Sequence, residues 1–259
     1  MAQDAWNPTQ YDRFRDERSR PFFDIMNLVR PKPAMRVVDL GCGTGELTRN
    51  LHRHLQARET LGLDSSQTML ARSLAYTGQG LHFERQEIMD FVAADPGGWD
   101  LVFSNAALHW VPLHDHLLRR LTALLAPGGQ LAIQVPANHD HPSQVVAAEV
   151  AQEAPFRDAL KAYFRRAPVL APEEYALVLD RQGYREQHVR LEVYGHRLQS
   201  REEVVEWMKG TLLTDYEARM PAEMFPEFVA RYRDRLLPRL EDTRPYFFPY
   251  KRILMWAKR

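Results

Sequence analysis

Three glycines at alternate positions follow an acid in the segment VVDLGCGTG, residues 37–45. Asp39 precedes Gly41, Gly43 and Gly45, so the pattern is D-x-G-x-G-x-G directly after an apolar run. Because glycine has no Cβ, a ligand can lie against this backbone and meet the N–H groups that open the next helix. The spacing differs from the G-x-G-x-x-G of dinucleotide folds, and Asp39 would repel a pyrophosphate but attract an ammonium group. The segment therefore predicts a binding turn for a ligand that carries an amine.

A second acid, Asp64, ends the predicted strand TLGLD, residues 60–64. In nucleoside-binding α/β folds an acid at this place accepts hydrogen bonds from both ribose hydroxyls. A ligand with a ribose and an amine fits S-adenosylmethionine. A nicotinamide dinucleotide, the alternative with the same architecture, is disfavoured by the glycine spacing and by Asp39.

A histidine and a cysteine lie close to these segments. His109 follows the fourth predicted strand, where it is able to take a proton from a hydroxyl or amine; the alternative is that it packs the sheet edge beside Trp110. Cys42 is the one cysteine of the chain, and we interpret it as a small filler rather than a nucleophile. Two HDH triplets, 114–116 and 139–141, lack a third ligand at diagnostic spacing, so they predict surface polar residues and no metal site.

The elements that must position these residues follow from the hydrophobic pattern. Between residues 36 and 135, short apolar runs alternate with longer helical stretches, which is typical of βα units in a mostly parallel sheet. Two later runs complete a predicted seven-stranded sheet, and helical insertions follow the fifth and sixth strands. Strands are predicted at 36–40, 60–64, 81–85, 99–105, 130–135, 188–198 and 248–259, and helices at 45–57, from Ser65 or Ser66 past Leu74, and at 117–127, 172–184, 201–210 and 226–240.

Composition narrows the classes of partner. The chain has 259 residues, of which 45% are hydrophobic and 26% charged, which is typical of a globular protein with a sizeable core. Its 34 basic and 34 acidic residues balance, so no global field favours nucleic acid or an anionic membrane. The first residues lack the apolar stretch of a secretory signal, and no run approaches the ~20 apolar residues of a membrane span. We therefore expect a cytoplasmic protein with no nucleic-acid or membrane partner.

Four separated segments, VVDLGCGTG, LGLDSSQTML, FERQEI and LVFSNAALHWV, resemble the class I S-adenosylmethionine-dependent methyltransferases and span residues 20–136. Five others, WNPTQYDRFRDERSRP, LHWV, QVPANHDHPSQVVAAEV, VVEWMKGT and FPYKRILMWAKR, resemble the trans-aconitate 2-methyltransferase family over nearly the whole chain. The resemblance implies a Rossmann-like methyltransferase fold and a single domain, 1–259. Its core is expected over 20–137, 172–200 and 244–259, and a helical cap over 1–20, 138–171 and 201–243.

The resemblance also implies a set of residues for the methyl donor. Asp39 and the glycine turn would hold the methionine part, with Asn105 and Ala106 beside it, and Asp64 would hold the ribose. Met69 and Ile88 would sandwich the adenine, and Glu87 stands where the family usually has an aspartate near the adenine amino group. Tyr11 and Arg20 would close over the donor. The full set is Tyr11, Arg20, Asp39, Gly41, Cys42, Gly43, Gly45, Asp64, Ser65, Met69, Glu87, Ile88, Asn105 and Ala106.

Methyl transfer from a sulfonium is an in-line displacement, so alignment and exclusion of water do most of the catalytic work. A carboxylate acceptor is already ionised at neutral pH and needs no base, whereas arginine is well suited to bind it. The candidate arginines are Arg18, Arg20, Arg197, Arg244 and Arg252. One segment departs from the family: residues 210–221 carry Thr214 and Asp215 where the resemblance leads us to expect an arginine. We therefore hypothesise an acceptor that is smaller or less charged than trans-aconitate.

The predicted function is an S-adenosylmethionine-dependent methyltransferase that acts on a small, anionic molecule, with O-methylation of a carboxylic acid as the leading interpretation. Two alternatives stay open. One is an O- or N-methyltransferase for another metabolite, with His109 as base and Trp110 beside it. The other is a protein that binds the donor without catalysis. The chain is expected to act as a monomer or homodimer.

Overall fold

The structure is a computed structural model that describes residues 15–259, with side chains described from residue 19 onward. The predictions made for Tyr11 and for the side chain of Arg18 lie outside the described residues. The chain divides into two compact units. The sheet unit comprises residues 16–137, 168–192 and 252–259; the helical unit contains residues 138–167 and 193–251.

Helices and strands alternate along the first half of the described chain. In chain order the elements are α1 (Arg15–Met26), β1 (Arg36–Leu40), α2 (Glu46–Leu55), β2 (Glu59–Asp64), α3 (Gln67–Ser73), β3 (Leu81–Arg85), α4 (Ile88–Ala94), β4 (Trp99–Asn105), α5 (His114–Ala123), β5 (Leu125–Pro136), α6 (Pro142–Ala151), α7 (Phe156–Ala159), α8 (Pro172–Arg181), β6 (Glu186–Leu198), α9 (Glu202–Lys209), α10 (Leu212–Glu217), α11 (Phe225–Leu236) and β7 (Tyr246–Lys258). Within residues 15–259, three short 3₁₀ turns cover Leu74–Tyr76, Leu108–Trp110 and Leu237–Arg239.

Over residues 15–259, seven strands form one sheet in the order β3-β2-β1-β4-β5-β7-β6. Strands β1 to β5 pair in parallel, and β7 runs antiparallel to β5. This confirms the predicted α/β class with a mostly parallel sheet. The strand order reverses between β1 and β4, and ligands in such sheets bind in the crevice outside the carboxyl ends of the strands at that point.

The helix after the glycine turn follows its sequence pattern. Leu51 and Leu55 of α2 are buried, as their spacing of four residues predicts for an amphipathic helix. Thr48, one turn earlier, is also buried, although it is polar. Its hydroxyl has a partner in β1, so this helix is joined to the sheet by a hydrogen bond as well as by apolar packing.

The predicted helix over 117–127 is wrong at both ends, since α5 covers His114–Ala123. The backbone that follows α5 is used by the sheet. The N–H of Trp99 donates to the carbonyl of Leu124 at 3.0 Å, and Leu125 lies opposite Trp99 in the pairing of β4 with β5. The apolar pattern continues smoothly from the helix into the strand, so it does not mark the boundary.

Helix α1 was not predicted from the sequence. It contains Pro21, its first half is mostly charged, and its apolar residues lie only in its second half. Tertiary packing accounts for it, because Phe22 is buried against Phe103 of β4 with ring centroids 4.9 Å apart.

The helical unit has an apolar core of its own. Val204, Val205 and Met208 of α9 are buried in it, as the pattern of residues 201–210 predicts. Within this unit the Tyr232 hydroxyl donates to the carbonyl of Ser143 at 2.9 Å, which joins α11 to α6. The predicted arrangement of one domain with a helical cap stays a prediction.

Each helix in residues 15–259 is too short or too polar to cross a lipid bilayer.

Candidate functional site

The glycine turn leads from the end of β1 into α2, and two of its glycines are required by both conformation and space. Gly41 has φ +81°, and a Cβ placed there would lie 2.2 Å from the Cβ of Ala107. Gly45 has φ +75°, and its Cβ would lie 2.6 Å from the Cβ of Ser73. Since φ values in this range strain other residues and both contacts are too short for carbon atoms, these positions require glycine.

Gly43, between them, is different. It also has a positive φ, +57°, but the nearest atom to an added Cβ would be Cε of Met69 at an ordinary 3.4 Å. The conformation requires glycine here, while packing does not. The backbone at Gly43 therefore borders Met69, one of the residues predicted to contact the adenine.

The end of β2 is tied to this turn by backbone hydrogen bonds. Asp64 accepts from the N–H of Gly43 at 2.8 Å through Oδ2 and from the N–H of Ser66 at 2.9 Å through Oδ1. The carbonyl of Leu63 accepts from Gly41 and Cys42, each at 2.8 Å. Asp64 is half-buried, and its two oxygens thus join the glycine turn to the loop that leads into α3.

Asp39 is buried in β1, with only 2% of its surface exposed. Its Oδ2 accepts a hydrogen bond from the Thr48 hydroxyl of α2 at 2.6 Å. Burial raises the pKa of Asp39 to about 7; the Thr48 hydrogen bond lowers it, and the charge of Asp64 raises it further. The acid thus changes its charge near neutral pH, where a nearby cationic ligand would favour the ionised form.

Cys42 is buried within the turn. Burial raises the pKa of its thiol well above the usual range, and the charges of Asp39 and Asp64 raise it further. A protonated, buried thiol is a poor nucleophile, which supports its interpretation as a filler.

The remaining predicted donor residues vary in exposure. Met69 is buried on α3, and Ser65 is exposed just before that helix. Glu87 is exposed at the residue before α4, and Ile88 is half-buried against the apolar core of the sheet unit. Arg20 of α1 is largely exposed, and its Nε lies 3.9 Å from Oδ2 of Asp24, one turn later in the same helix.

The end of β4 meets the glycine turn. Ala107 lies directly against Gly41, since its Cβ occupies the space that a Cβ at Gly41 would need. Ala106 adopts φ +53°, which is rare for a residue with a side chain. The N–H of Ala106 donates to the carbonyl of Gln134 in β5 at 3.0 Å. The structure thus brings the predicted residues Asn105 and Ala106 to the same edge of the sheet as the glycine turn.

His109 and Trp110 occupy the 3₁₀ turn that follows β4, and both are half-buried with ring centroids 5.0 Å apart. A histidine of the first HDH triplet holds this turn. His114 Nε2 donates to the carbonyl of Leu108 at 3.0 Å, while its Nδ1 accepts from the hydroxyl of Tyr175. Because that hydroxyl also accepts from the N–H of Leu170, this tautomer satisfies every group.

The prediction that both triplets are surface residues is therefore wrong for His114, which is 3% exposed. Burial lowers the pKa of His114, so the neutral ring is favoured. His141 of the second triplet is half-buried and accepts from the N–H of Ser143 at the start of α6. Over residues 15–259, the histidines, cysteine and acids form no cluster of three that would hold a metal ion.

The candidate substrate arginines fall into different surroundings. Arg252 of β7 belongs to the sheet unit and is 4% exposed. Arg197 of β6 and Arg244 belong to the helical unit, and both are exposed. A guanidinium buried in the sheet unit is a stronger candidate than exposed ones, because an anion is bound more strongly where water is excluded.

Asp215, the acid that replaces the expected arginine, has partners within the helical unit. It accepts from the Tyr163 hydroxyl at 2.7 Å and from Nε of Arg219 at 3.0 Å. Sequence reasoning missed Arg165 in the same unit. Burial lowers the pKa of the Arg165 guanidinium, and the charge of Asp215 offsets part of that decrease. The negative charge of Asp215 is therefore offset locally.

The methyltransferase domain family matches residues 11–189 of this chain. The trans-aconitate 2-methyltransferase of Deinococcus radiodurans is 40% identical over 98% of both chains. The enzyme of that name from Mycobacterium tuberculosis is 34% identical, over 98% of this chain and 96% of its own.

Two solved structures show the same fold. The YcgJ protein of Bacillus subtilis aligns with a TM-score of 0.59 at 12% identity, over 92% of this chain and 97% of its own. A Haemonchus contortus phosphoethanolamine N-methyltransferase 2 in complex with S-adenosylhomocysteine aligns with a TM-score of 0.55 at 16% identity, over 93% of this chain and 52% of its own.

Proposed function

Because the chain belongs to the S-adenosylmethionine-dependent methyltransferases, we propose that it methylates a carboxylate oxygen of a small polycarboxylic acid of the trans-aconitate type. The observation that carries the proposal is full-length similarity to relatives with that named activity. A buried guanidinium, Arg252, in the unit that contains the glycine turn adds independent support.

The residues present fit the donor. Glycine at positions 41, 43 and 45 leaves the backbone of the turn without side chains there, and the turn leads directly into the N-terminus of α2. The half-buried carboxylate of Asp64 suits ribose hydroxyls, and buried Asp39 supplies negative potential for a cation. We assign the other predicted donor residues to the same site as part of the proposal.

S-adenosylmethionine, when bound, supplies a methyl group on a positively charged sulfur that a carboxylate oxygen displaces in line. A C–O bond forms as the C–S bond breaks, and the electron pair of that bond passes to sulfur. The products are a methyl ester and S-adenosylhomocysteine, and no proton is removed from the carboxylate. The protein's task is therefore to bind, align and exclude water, without a general base.

The acceptor is proposed to be held as an anion. Arg252 supplies a guanidinium, whose planar pair of N–H donors matches the two oxygens of one carboxylate. The offset charge of Asp215 removes part of the reason for expecting a smaller acceptor. That hypothesis stays a prediction, and the acceptor panel below decides it.

The test is an acceptor panel with the full-length protein and S-adenosylmethionine. Trans-aconitate, a saturated tricarboxylate, a dicarboxylate and a monocarboxylate are each assayed for release of S-adenosylhomocysteine, with the methyl ester identified by mass spectrometry. We expect turnover with at least one of the polycarboxylic acids, and turnover of the monocarboxylate alone would contradict the proposal. Tight binding and turnover of trans-aconitate would refute the smaller-acceptor hypothesis.

Two other outcomes would overturn the proposal. Binding of S-adenosylhomocysteine in calorimetry with no turnover of any acid would indicate a donor-binding protein without this activity. Methyl transfer to a nitrogen or hydroxyl of another metabolite, with the acids inert, would favour the alternative in which His109 acts as base.

A further inference from the structure

Two amide side chains lie side by side at the carboxyl ends of neighbouring strands of the sheet unit. Asn105 ends β4 and lies opposite Gln134 of β5 in the parallel pairing. Gln134 is 0% exposed, yet its Nε2 and its Oε1 have no hydrogen-bond partner among the described residues. Oδ1 of Asn105 is also buried, and within the same residues it has none either.

An unpaired amide in a protein interior is costly. Burying a polar group without a hydrogen-bond partner destabilises the folded state, and most such groups in native proteins are paired. Because both amide atoms of Gln134 are affected, exchanging its nitrogen and oxygen does not remove the problem. A ligand that supplies the missing partners is one explanation of such a group.

Sheet pairing places the charged residue Arg252 on the same face. Gln134 lies opposite Leu254 of β7, and Arg252 is two residues from Leu254, so all three side chains lie on one face of the sheet. Diagonal neighbours of this kind have Cα atoms about 7–8 Å apart, within reach of long side chains. An amide and a buried guanidinium thus lie next to each other near the carboxyl end of β5.

The strand order indicates which ligand this pair would bind. The predicted ribose acid Asp64 ends β2, the glycine turn follows β1, and Asn105, predicted beside the methionine part, ends β4. The next strand in the sheet is β5. Gln134 therefore lies one strand beyond the residues predicted to bind the methyl donor, next to the predicted methionine end, where the acceptor must approach the methyl group.

We propose that the side-chain amide of Gln134, with Arg252 beside it, binds a carboxylate of the methyl acceptor. This rests on the proposed function. The Gln134 NH₂ group donates to a carboxylate oxygen that is not attacking, and Arg252 balances the negative charge. Gln134 is thus a residue kept for the ligand at a cost to the stability of the free protein.

The test is Gln134→Met, which keeps side-chain length and removes both polar atoms. The KM for the carboxylate acceptor should rise about tenfold or more, as expected for losing a hydrogen bond to a charged group, while kcat changes little. The Kd for S-adenosylhomocysteine should stay unchanged. The Tm should stay the same or rise, because the variant no longer buries unpaired polar atoms.

The same strand offers a matched control. Gln130 lies four residues earlier on the same face and is also buried, but its amide is fully paired. Its Oε1 accepts from the N–H of Arg30 and from Nε1 of Trp256, each at 2.9 Å, and its Nε2 donates to the carbonyl of Arg30 at 2.8 Å. Gln130→Met should therefore lower the Tm and leave the acceptor KM unchanged.

Each outcome decides a separate point. If the wild-type protein methylates a carboxylic acid but Gln134→Met leaves the acceptor KM within about twofold, or lowers the Tm as Gln130→Met does, this inference is wrong and the proposed function stands. A rise in the Kd for S-adenosylhomocysteine would place Gln134 in the donor site instead and also overturn it. If the wild-type protein methylates no carboxylic acid, the proposed function and this inference fall together.

Discussion

Asp64 accepts a hydrogen bond from the backbone N–H of Gly43 at 2.8 Å, so the acid at the end of the second strand holds the turn at the end of the first. Its other oxygen accepts from the N–H of Ser66, which leads into α3. One carboxylate thus orders both loops that border the predicted ribose site. An ionised carboxylate has about four acceptor positions, so it can accept hydrogen bonds from several donors at once.

We expect Asp64→Asn to weaken donor binding about tenfold or more, since the amide accepts through one atom only and carries no charge. Titration calorimetry with S-adenosylhomocysteine measures this. Asp100→Asn is the matched control: Asp100 also accepts a backbone N–H, from Arg36 at 2.8 Å, but it lies near the start of β4. Equal weakening in both variants would contradict a specific role for Asp64.

Gly41→Ala and Gly43→Ala should differ. The Gly41 variant meets a carbon at 2.2 Å as well as a strained φ, so its free energy of unfolding should fall by more than about 2 kcal/mol. Gly43→Ala meets only an ordinary contact, and about 1–2 kcal/mol is expected from its conformation. Urea denaturation measures both. If Gly41→Ala were as stable as the wild type, the close contact between Gly41 and Ala107 would be contradicted.

Asp39 predicts an unusual pH dependence. Its pKa is raised from 3.8 to about 7 in the folded protein, so the folded state binds this proton more tightly than the unfolded state. Stability from this group is therefore greatest below pH 4 and is lost as the pH rises through about 7, a difference of roughly 4 kcal/mol. Urea denaturation of the wild type and of Asp39→Asn from pH 5 to 8 measures how the free energy of unfolding changes with pH. Identical slopes for the two proteins would contradict the raised pKa of Asp39.

His114 predicts a pH dependence of stability opposite to that of Asp39. Burial lowers its pKa from the usual 6.5, so the folded state binds this proton less tightly than the unfolded state. Its contribution is present above pH 6.5 and is lost as the pH falls below that value. His114→Gln should flatten the loss of Tm between pH 6.5 and 5 relative to the wild type. An unchanged acid profile would show that another group, such as His141, is responsible.

His109→Gln separates the two catalytic alternatives. A carboxylate acceptor needs no proton removed, so kcat should change by no more than about threefold. For a hydroxyl or amine acceptor, loss of a general base should lower kcat by about 10²–10⁴. Trp110→Phe serves as a packing control on the same turn. A large loss with a carboxylic acid as substrate would contradict the base-free reaction.

The first four predicted strands agree within one residue with those of the structure, because the apolar runs and the turn residues between them are local signals, whereas β5 begins five residues before its predicted start at 130. The bounds of β1, β3 and β4 agree with the predicted ranges, and β2 begins one residue earlier. The end of α5 was predicted wrongly because apolar residues continue from Ala123 through Ala126, and only pairing with β4 assigns Leu125 to a strand. Helix α1 is likewise stabilised by packing against Phe103 that no local pattern reveals.

The residue pattern was sufficient to identify the glycine turn and its flanking acids, because spacing along a strand, turn and helix directly sets which backbone groups a ligand meets. Folding revealed the burial of His114, the hydrogen bond from Tyr163 to Asp215 and, among the described residues, the lack of a partner for the amide of Gln134. Each of these depends on residues distant in the chain that lie opposite one another after folding. Hydrogen bonding and desolvation are properties of that three-dimensional neighbourhood, and residue order alone does not specify them.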